Sequence, residues 1–447
     1  MKLKVRDRQI LRIVLPAIVT NITVPLLGLV DTAIVGHMGS ASYIAAIAVG
    51  SMIFNLLYWV FAFLRMGTSG MTAQARGRRD FAEARQLLVN AALLAIVIAL
   101  LLLLLQIPLR ELMLWLISPT PDVRPLAVTY FHIVVWGAPA MLLLYALSGW
   151  YIGMQNTRIP MFISIMQNVV NIILSLLLVY GFGMKVAGVA LGTVVAQYAG
   201  FFVATILLWK YYRKILRRGR TKNIQKSTPP LGYILRNLPS PATLRTAFST
   251  TYRDIFLRTL CLVAVNLFFT SAGARQGATI LAVNTLLLQL YLLFSYIMDG
   301  FAYAGEALGG RFWGARDSAA FHDLVRRLFG WGIIMTLLFT AVYVFGGMPF
   351  LRLLTDEAAV VEASRAYVWW AYLIPAAGIT AFIWDGIFIG ITQTRGMLLS
   401  AILSSLLFFA VATSLMGIIG NHGLWLAQVL YLAMRGLVQT LVYRTIK

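Results

Sequence analysis

Twelve long apolar stretches decide what this chain can fold into. They run approximately over 10–36, 44–70, 87–108, 126–150, 159–181 and 187–210, then 252–273, 280–304, 324–346, 364–390, 397–418 and 421–443. A helix rises 1.5 Å per residue, so about 20 apolar residues cover the ~30 Å of hydrocarbon in a bilayer. Most of the stretches reach that length. Composition agrees: 60% of the 447 residues are hydrophobic and 12% are charged, against roughly 45–50% and 25% in a soluble domain. A soluble chain of this size could not hide so much apolar surface, so lipid must solvate much of it.

The second half repeats the first at an offset of 237 residues. Gly149-Trp150-Tyr151-Ile152-Gly153 with Thr157-Arg158 returns as Gly386-Ile387-Phe388-Ile389-Gly390 with Thr394-Arg395. Gly77-Arg78-Arg79-Asp80 returns as Gly314-Ala315-Arg316-Asp317, and Gly188-Val189-Ala190-Leu191 reappears two residues out of step as Gly423-Leu424-Trp425-Leu426. The expected fold is therefore an all-α integral membrane protein of twelve transmembrane helices in two homologous six-helix bundles. Six spans per half give both halves one orientation, a parallel internal repeat of the kind secondary transporters use. The division is an N-terminal lobe over 1–210, a linker over 211–250 and a C-terminal lobe over 251–447.

A formal charge of +22 invites a nucleic-acid reading, but its placement argues against one. Most of the 37 lysines and arginines fall in the termini and in the connections after even-numbered spans, as in Lys2 to Arg12, Arg76 to Arg85, Lys210 to Arg258 and Arg311 to Arg327. Only Arg110, Arg124, Lys185, Arg275, Arg352 and Arg365 lie near the opposite ends. This positive-inside asymmetry places both termini in the cytoplasm. The linker, basic and proline-bearing, reads as a tether on anionic headgroups or as a regulatory docking segment. Cys261 is the sole cysteine, which excludes an intramolecular disulfide,. His37, His132, His322 and His422 are scattered without metal-ligand spacing. The first span is too long for a signal-peptide core and is read as retained.

Four acids fall inside apolar spans: Asp31, Asp299, Glu306 and Asp385. An ionised side chain at the bilayer centre costs at least ~2.5–3.5 kcal/mol, so each needs water, a partner or a proton. Asp31 has no basic residue in its span, and a lone desolvated carboxylate suits a group that loads and releases protons. The plainer alternative is an acid that only holds helices together. Its second-half counterpart falls near Phe268-Phe269, so chemistry of this kind belongs to the first half. Asp299 and Glu306, seven residues apart, are expected on one helix face. With Asp385 and Arg258 they suggest a buried ion network, structural or coupled to transport. Asn168, Asn171 and Ser175 form a polar stripe that either joins helices or lines a cation pathway. Pro16, Pro25, Pro139 and Pro375 interrupt spans and mark bending points.

Six segments carry a family resemblance. Asn21-Ile22-Thr23-Val24-Pro25-Leu26-Leu27-Gly28-Leu29-Val30-Asp31-Thr32-Ala33 resembles the first helix of the DinF branch of the multidrug and toxic compound extrusion (MATE) transporters. Phe63-Leu64-Arg65-Met66, Thr72-Ala73-Gln74-Ala75, Asp299-Gly300-Phe301-Ala302-Tyr303-Ala304, Gly314-Ala315-Arg316-Asp317 and Asp385-Gly386 are similar to that branch too. The resemblance implies two six-helix lobes and export driven by inward cation flow. It assigns the proton or cation switch to Asp31, the bending proline to Pro16 and the first-lobe polar site to Asn171 and Thr193. Many members carry an aspartate where this chain has Ser175. Hard cations favour several anionic oxygens, so the serine leaves proton coupling through Asp31 as the simpler reading.

The sequence thus points to a secondary exporter of amphipathic organic cations. It is expected to run on a proton gradient, with sodium the less favoured ion and no cofactor or metal. Its partners would be organic cations and membrane lipids, not nucleic acid. It is read as a monomer in the bacterial cytoplasmic membrane. A flippase for lipid-linked precursors, or a sodium-coupled drug exporter, is the alternative. An enzyme is not expected: His-Glu-x-x-His, Gly-x-Ser-x-Gly and the phosphate-binding loop are all missing from the sequence,.

Overall fold

A computed structural model describes residues 5–36, 41–218, 250–355 and 357–446. His37, residues 219–249 of the expected linker and the side chain of Pro25 lie outside the described residues. No strand occurs among the described residues. In the first half, Val5–Gly36 is α1, Ala41–Phe61 α2, Phe63–Gly77 α3, Phe81–Leu104 α4, Gln106–Ile117 α5, Arg124–Val134 α6, Ala138–Gly153 α7, Arg158–Leu176 α8 and Lys185–Arg218 α9. In the second, Thr250–Arg275 is α10, Ala278–Ala304 α11, Gly310–Gly314 α12, Ser318–Leu354 α13, Ala358–Arg365 α14, Val368–Gly390 α15, Thr394–Ile419 α16 and Asn421–Thr445 α17. Eleven helical stretches among the described residues are long and apolar enough to cross a membrane. α1, with 32 residues, coincides with the first of the twelve expected spans. Exposed Leu100, Leu104, Phe345 and Leu353 suit a surface that meets lipid,.

The repeat seen in sequence is a repeat of local geometry. α3 ends in a Schellman turn: Asp80 donates its amide to the Ala75 carbonyl and Arg79 takes a positive φ of 61°,. α12 ends the same way, with Asp317 bonded to Phe312 and Arg316 at 56°. The aspartate then caps the next helix, accepting from Glu83 N in α4 and from Ala320 N in α13, each at 2.9 Å,. A second pair of such turns places Gln155 at 58° and Thr392 at 56°.

The Gly-x-x-x-Gly motifs also do equivalent work. A Cβ on Gly153 would lie 2.6 Å from the Ser69 carbonyl, and one on Gly390 would lie 2.7 Å from the Gly305 carbonyl and 2.9 Å from that of Glu306. Gly149 approaches the Arg65 backbone as Gly386 approaches that of Ala302. Only helices without side chains at these points can come so close. The out-of-step segment has a local cause as well. Gly188 packs on Leu178 and Gly423 on Leu415, so the counterparts Leu178 and Leu415 keep the offset of 237 while the glycines fall two short. The missing residues lie between them, where α8 passes through a π-helical segment, Leu177–Gly181, before α9.

By their contacts the residues form two compact units, Val19–Ser249, and Met1–Ile18 together with Thr250–Lys447. This differs from an N-terminal lobe over 1–210, and the reason is specific. Arg6 bonds Asp323 at 3.1 Å and lies 4.5 Å from the Phe312 ring centroid, while Arg327 bonds Asp7 at 2.8 Å. Val14 and Ile18 close on Gly300. The opening of α1 is therefore held by second-half helices.

The prolines interrupt less than expected. α1 continues through Pro16 and Pro25, and α15 through Pro375. Of these four prolines only Pro139 stands at a break, a 3-10 turn over Val135–Gly137, where it occupies the first turn of α7 and its missing N–H leaves no intrahelical bond unmade,.

Candidate functional site

In the unit Val19–Ser249, Asp31 of α1 is 4% exposed. Val30 and Ile34 beside it join an apolar cluster with Phe54, Tyr58, Tyr130 and Phe131. No cation among the described residues pairs with Asp31, and its Oδ1 atom is buried without a hydrogen-bond partner. Tyr130 of α6 lies within electrostatic reach of the carboxylate. Its hydroxyl is 3.5 Å from Ser51 Oγ and within hydrogen-bonding reach of Thr193. Thr193 of α9 accepts from Asn171 Nδ2 of α8 at 2.9 Å and donates to the Val189 carbonyl at 3.0 Å. Asn171 and Thr193 thus join α8 to α9 on the side where Tyr130 comes within electrostatic reach of Asp31.

Asn171 and Ser175 stand one turn apart on α8 and are completely buried,. Asn171 Oδ1 and Ser175 Oγ have no hydrogen-bond partner. A Cβ on Gly192 would sit 2.6 Å from Ser175 Oγ, so α9 crosses the serine with nothing between them. The counterparts of Asp31 and Asn171 are Phe268 and Phe408, whose rings meet edge to face with centroids 5.9 Å apart. Asp31 and Asn171 occupy the matching positions on α1 and α8. The expected polar stripe splits into two roles. Asn168 donates to the Thr23 carbonyl at 2.7 Å and joins helices, while Asn171 and Ser175 present unpaired oxygens. Each buried polar atom left without a partner costs about 1–3 kcal/mol. Such a group of oxygens is suited to a proton, a cation or water.

The unit containing α10 to α17 treats its acid differently. Asp385 of α15 accepts from Arg258 of α10 through Oδ2, from Arg435 of α17 through the same oxygen at 2.6 Å, and from Gln439 through Oδ1 at 2.6 Å. All four residues are at least nine-tenths buried. The expected network exists around Asp385 and Arg258, and Arg435 and Gln439 belong to it as well. Asp299 is half-buried in α11, and Glu306 is buried in a π-helical segment, Gly305–Gly309.

Sequence reasoning missed Tyr130, Arg435 and Gln439 as members of these sites. Arg435 carried a signal, a cation inside an apolar span; Tyr130 carried none, since an aromatic residue in a membrane helix is ordinary. Among the described residues no three His, Cys, Asp or Glu side chains converge as metal ligands.

Residues 16–177 and 255–413 match the sequence model of the MatE family. DNA damage-inducible protein F of Escherichia coli (strain K12) is 36% identical over 438 residues, covering 98% of this chain and 92% of that protein. The probable multidrug resistance protein NorM of Thermotoga maritima is 24% identical over 80% of this chain and 74% of its own length. In three dimensions, the crystal structure of the Vibrio cholerae MATE transporter VcmN in its bent form shares the fold. Its TM-score is 0.83 over 98% of this chain and 96% of that one, at 18% identity. The chain belongs to the multidrug and toxic compound extrusion family and is a multi-pass membrane transporter, not an enzyme.

Proposed function

We propose that the protein exports amphipathic organic cations in exchange for inward-moving protons, with Asp31 as the group that exchanges the proton. The observation that carries this reading is the uncompensated carboxylate itself: Asp31 is buried, pairs with no cation among the described residues and keeps one oxygen without a partner. A carboxylate so placed binds a proton or an organic cation more readily than both together, and that competition is the substance of antiport. Protonation changes its contacts and shifts the population between conformers only as far as the proton's affinity differs between them. Pro16 and Pro25, both within α1, are where that helix would yield.

Support for sodium in place of the proton rests on Asn171 Oδ1 and Ser175 Oγ, unpaired oxygens of the kind a hard cation accepts,. A single carboxylate among neutral oxygens makes the proton the better fit. The bacterial relative supports placement in a bacterial cytoplasmic membrane, and the basic loops support cytoplasmic termini,. The working form is taken as a monomer with no cofactor beyond the ion gradient.

The test is efflux of a fluorescent organic cation from proteoliposomes under an imposed pH gradient. The native protein is expected to transport without sodium, and Asp31→Asn to fall to the rate of protein-free vesicles. Undiminished transport by Asp31→Asn would remove the residue from coupling, and transport that needed sodium would replace the proton. A native protein that moved no organic cation at all would favour a lipid-linked precursor as cargo.

A further inference from the structure

The charge around Asp385 does not balance. Arg258 and Arg435 both bond its Oδ2 atom, and among the described residues Asp385 is the only carboxylate within ion-pair distance of either guanidinium. Asp254, one turn before Arg258 on α10, is also buried, but its oxygens serve Arg253 at 3.0 Å and Thr394 at 3.1 Å. The cluster therefore carries two positive charges against one negative. A guanidinium cannot shed its proton in a protein, so the excess cannot be relieved as it would be for a buried lysine.

Two donors are also idle. Nε of Arg258 and Nε of Arg435 are buried without a hydrogen-bond partner, on side chains 5% and 3% exposed. Water could satisfy those N–H groups but would leave the unit charge in a region of low dielectric, where an uncompensated ion is strongly disfavoured. An anion satisfies both requirements. The Tyr431 and Phe382 rings lie 5.7 and 6.0 Å from the Arg435 guanidinium carbon, cation–π contacts that offset only part of its charge,.

We propose that Arg258 and Arg435, together with the Asp385 carboxylate they share, form a buried binding site for one monovalent inorganic anion, chloride in the cell. The site is separate from Asp31 in residues and in charge, and it does not depend on the coupling role given to that acid.

Purified full-length protein in chloride-free gluconate buffer is titrated with sodium chloride while its thermal unfolding is followed. Crystals grown with sodium bromide are examined by anomalous scattering. The native protein is expected to gain Tm saturably with chloride but not with added gluconate, and a bromide peak is expected beside the two Nε atoms. Arg258→Gln, which leaves Arg435 and Asp385 balanced, should weaken the chloride midpoint by about tenfold or more, each decade being a fixed step in binding free energy. A flat chloride response in the native protein, an equal response to gluconate, or an unshifted midpoint in Arg258→Gln would overturn the proposal. Should that variant fail to fold, the bromide peak in the native protein decides alone, and its absence counts against the site.

Discussion

Asp31 and Asp385 are both buried aspartates in a duplicated helical scaffold, yet among the described residues one meets no cation and the other meets two. The turns and glycine contacts around them are shared by the two halves; the polar interiors are not. Positions matching Asp31, Asn171 and Ser175 hold Phe268, Phe408 and Ala412. Positions matching Arg258 and Asp385 hold Asn21 and Ser148, and those matching Arg435 and Gln439, allowing for the two-residue shift, hold Gly200 and Ala204. Each ionisable site was thus built on one copy of the repeat where the other copy is apolar, small or neutral. On the proposed reading, the acid without a counter-charge is the one that exchanges the proton. The one held between two guanidiniums joins three helices, α10, α15 and α17.

The comparison can be broken at several strengths. Asp385→Asn should cost the most stability, about 3–5 kcal/mol, because it strands two buried guanidiniums. Denaturation in detergent would show it, and a loss no larger than that of a surface substitution would mean the cluster is already balanced some other way. Gly153→Ala and Gly390→Ala should each cost about 1–3 kcal/mol by overpacking a backbone contact. A large difference between them would show that the shared contacts carry unequal loads. Asp80→Ala and Asp317→Ala remove matching helix caps and should each cost about 1 kcal/mol. Equal shifts in Tm for this last pair would support two copies of one local design.

Much of this was legible in the sequence because apolar length and repeated turn residues are local signals. The Gly-Arg-Arg-Asp and Gly-Ala-Arg-Asp segments marked the repeat, and in the structure both are Schellman turns followed by aspartate caps, which the sequence reading did not anticipate. Breaks within spans were not legible. The first half parts between α4 and α5 at Leu105, ahead of Pro108, while α13 continues through the matching stretch and through Pro349. Lipid-facing helices tolerate proline when neighbouring groups satisfy the freed carbonyls, so its presence did not separate a break from a continuation. Asp31 stood out as an acid in an apolar run. The partnership of Asp385 with Arg435 did not, because it joins residues 50 apart through packing that no periodicity records.

The most direct measurement is the release of protons when an organic cation is added to the purified protein in weakly buffered detergent solution. Native protein and Asp385→Asn, provided the latter remains folded, should release protons on binding, and Asp31→Asn should release none. Release that persisted in Asp31→Asn and vanished in Asp385→Asn would contradict the assignment of the exchangeable proton to Asp31.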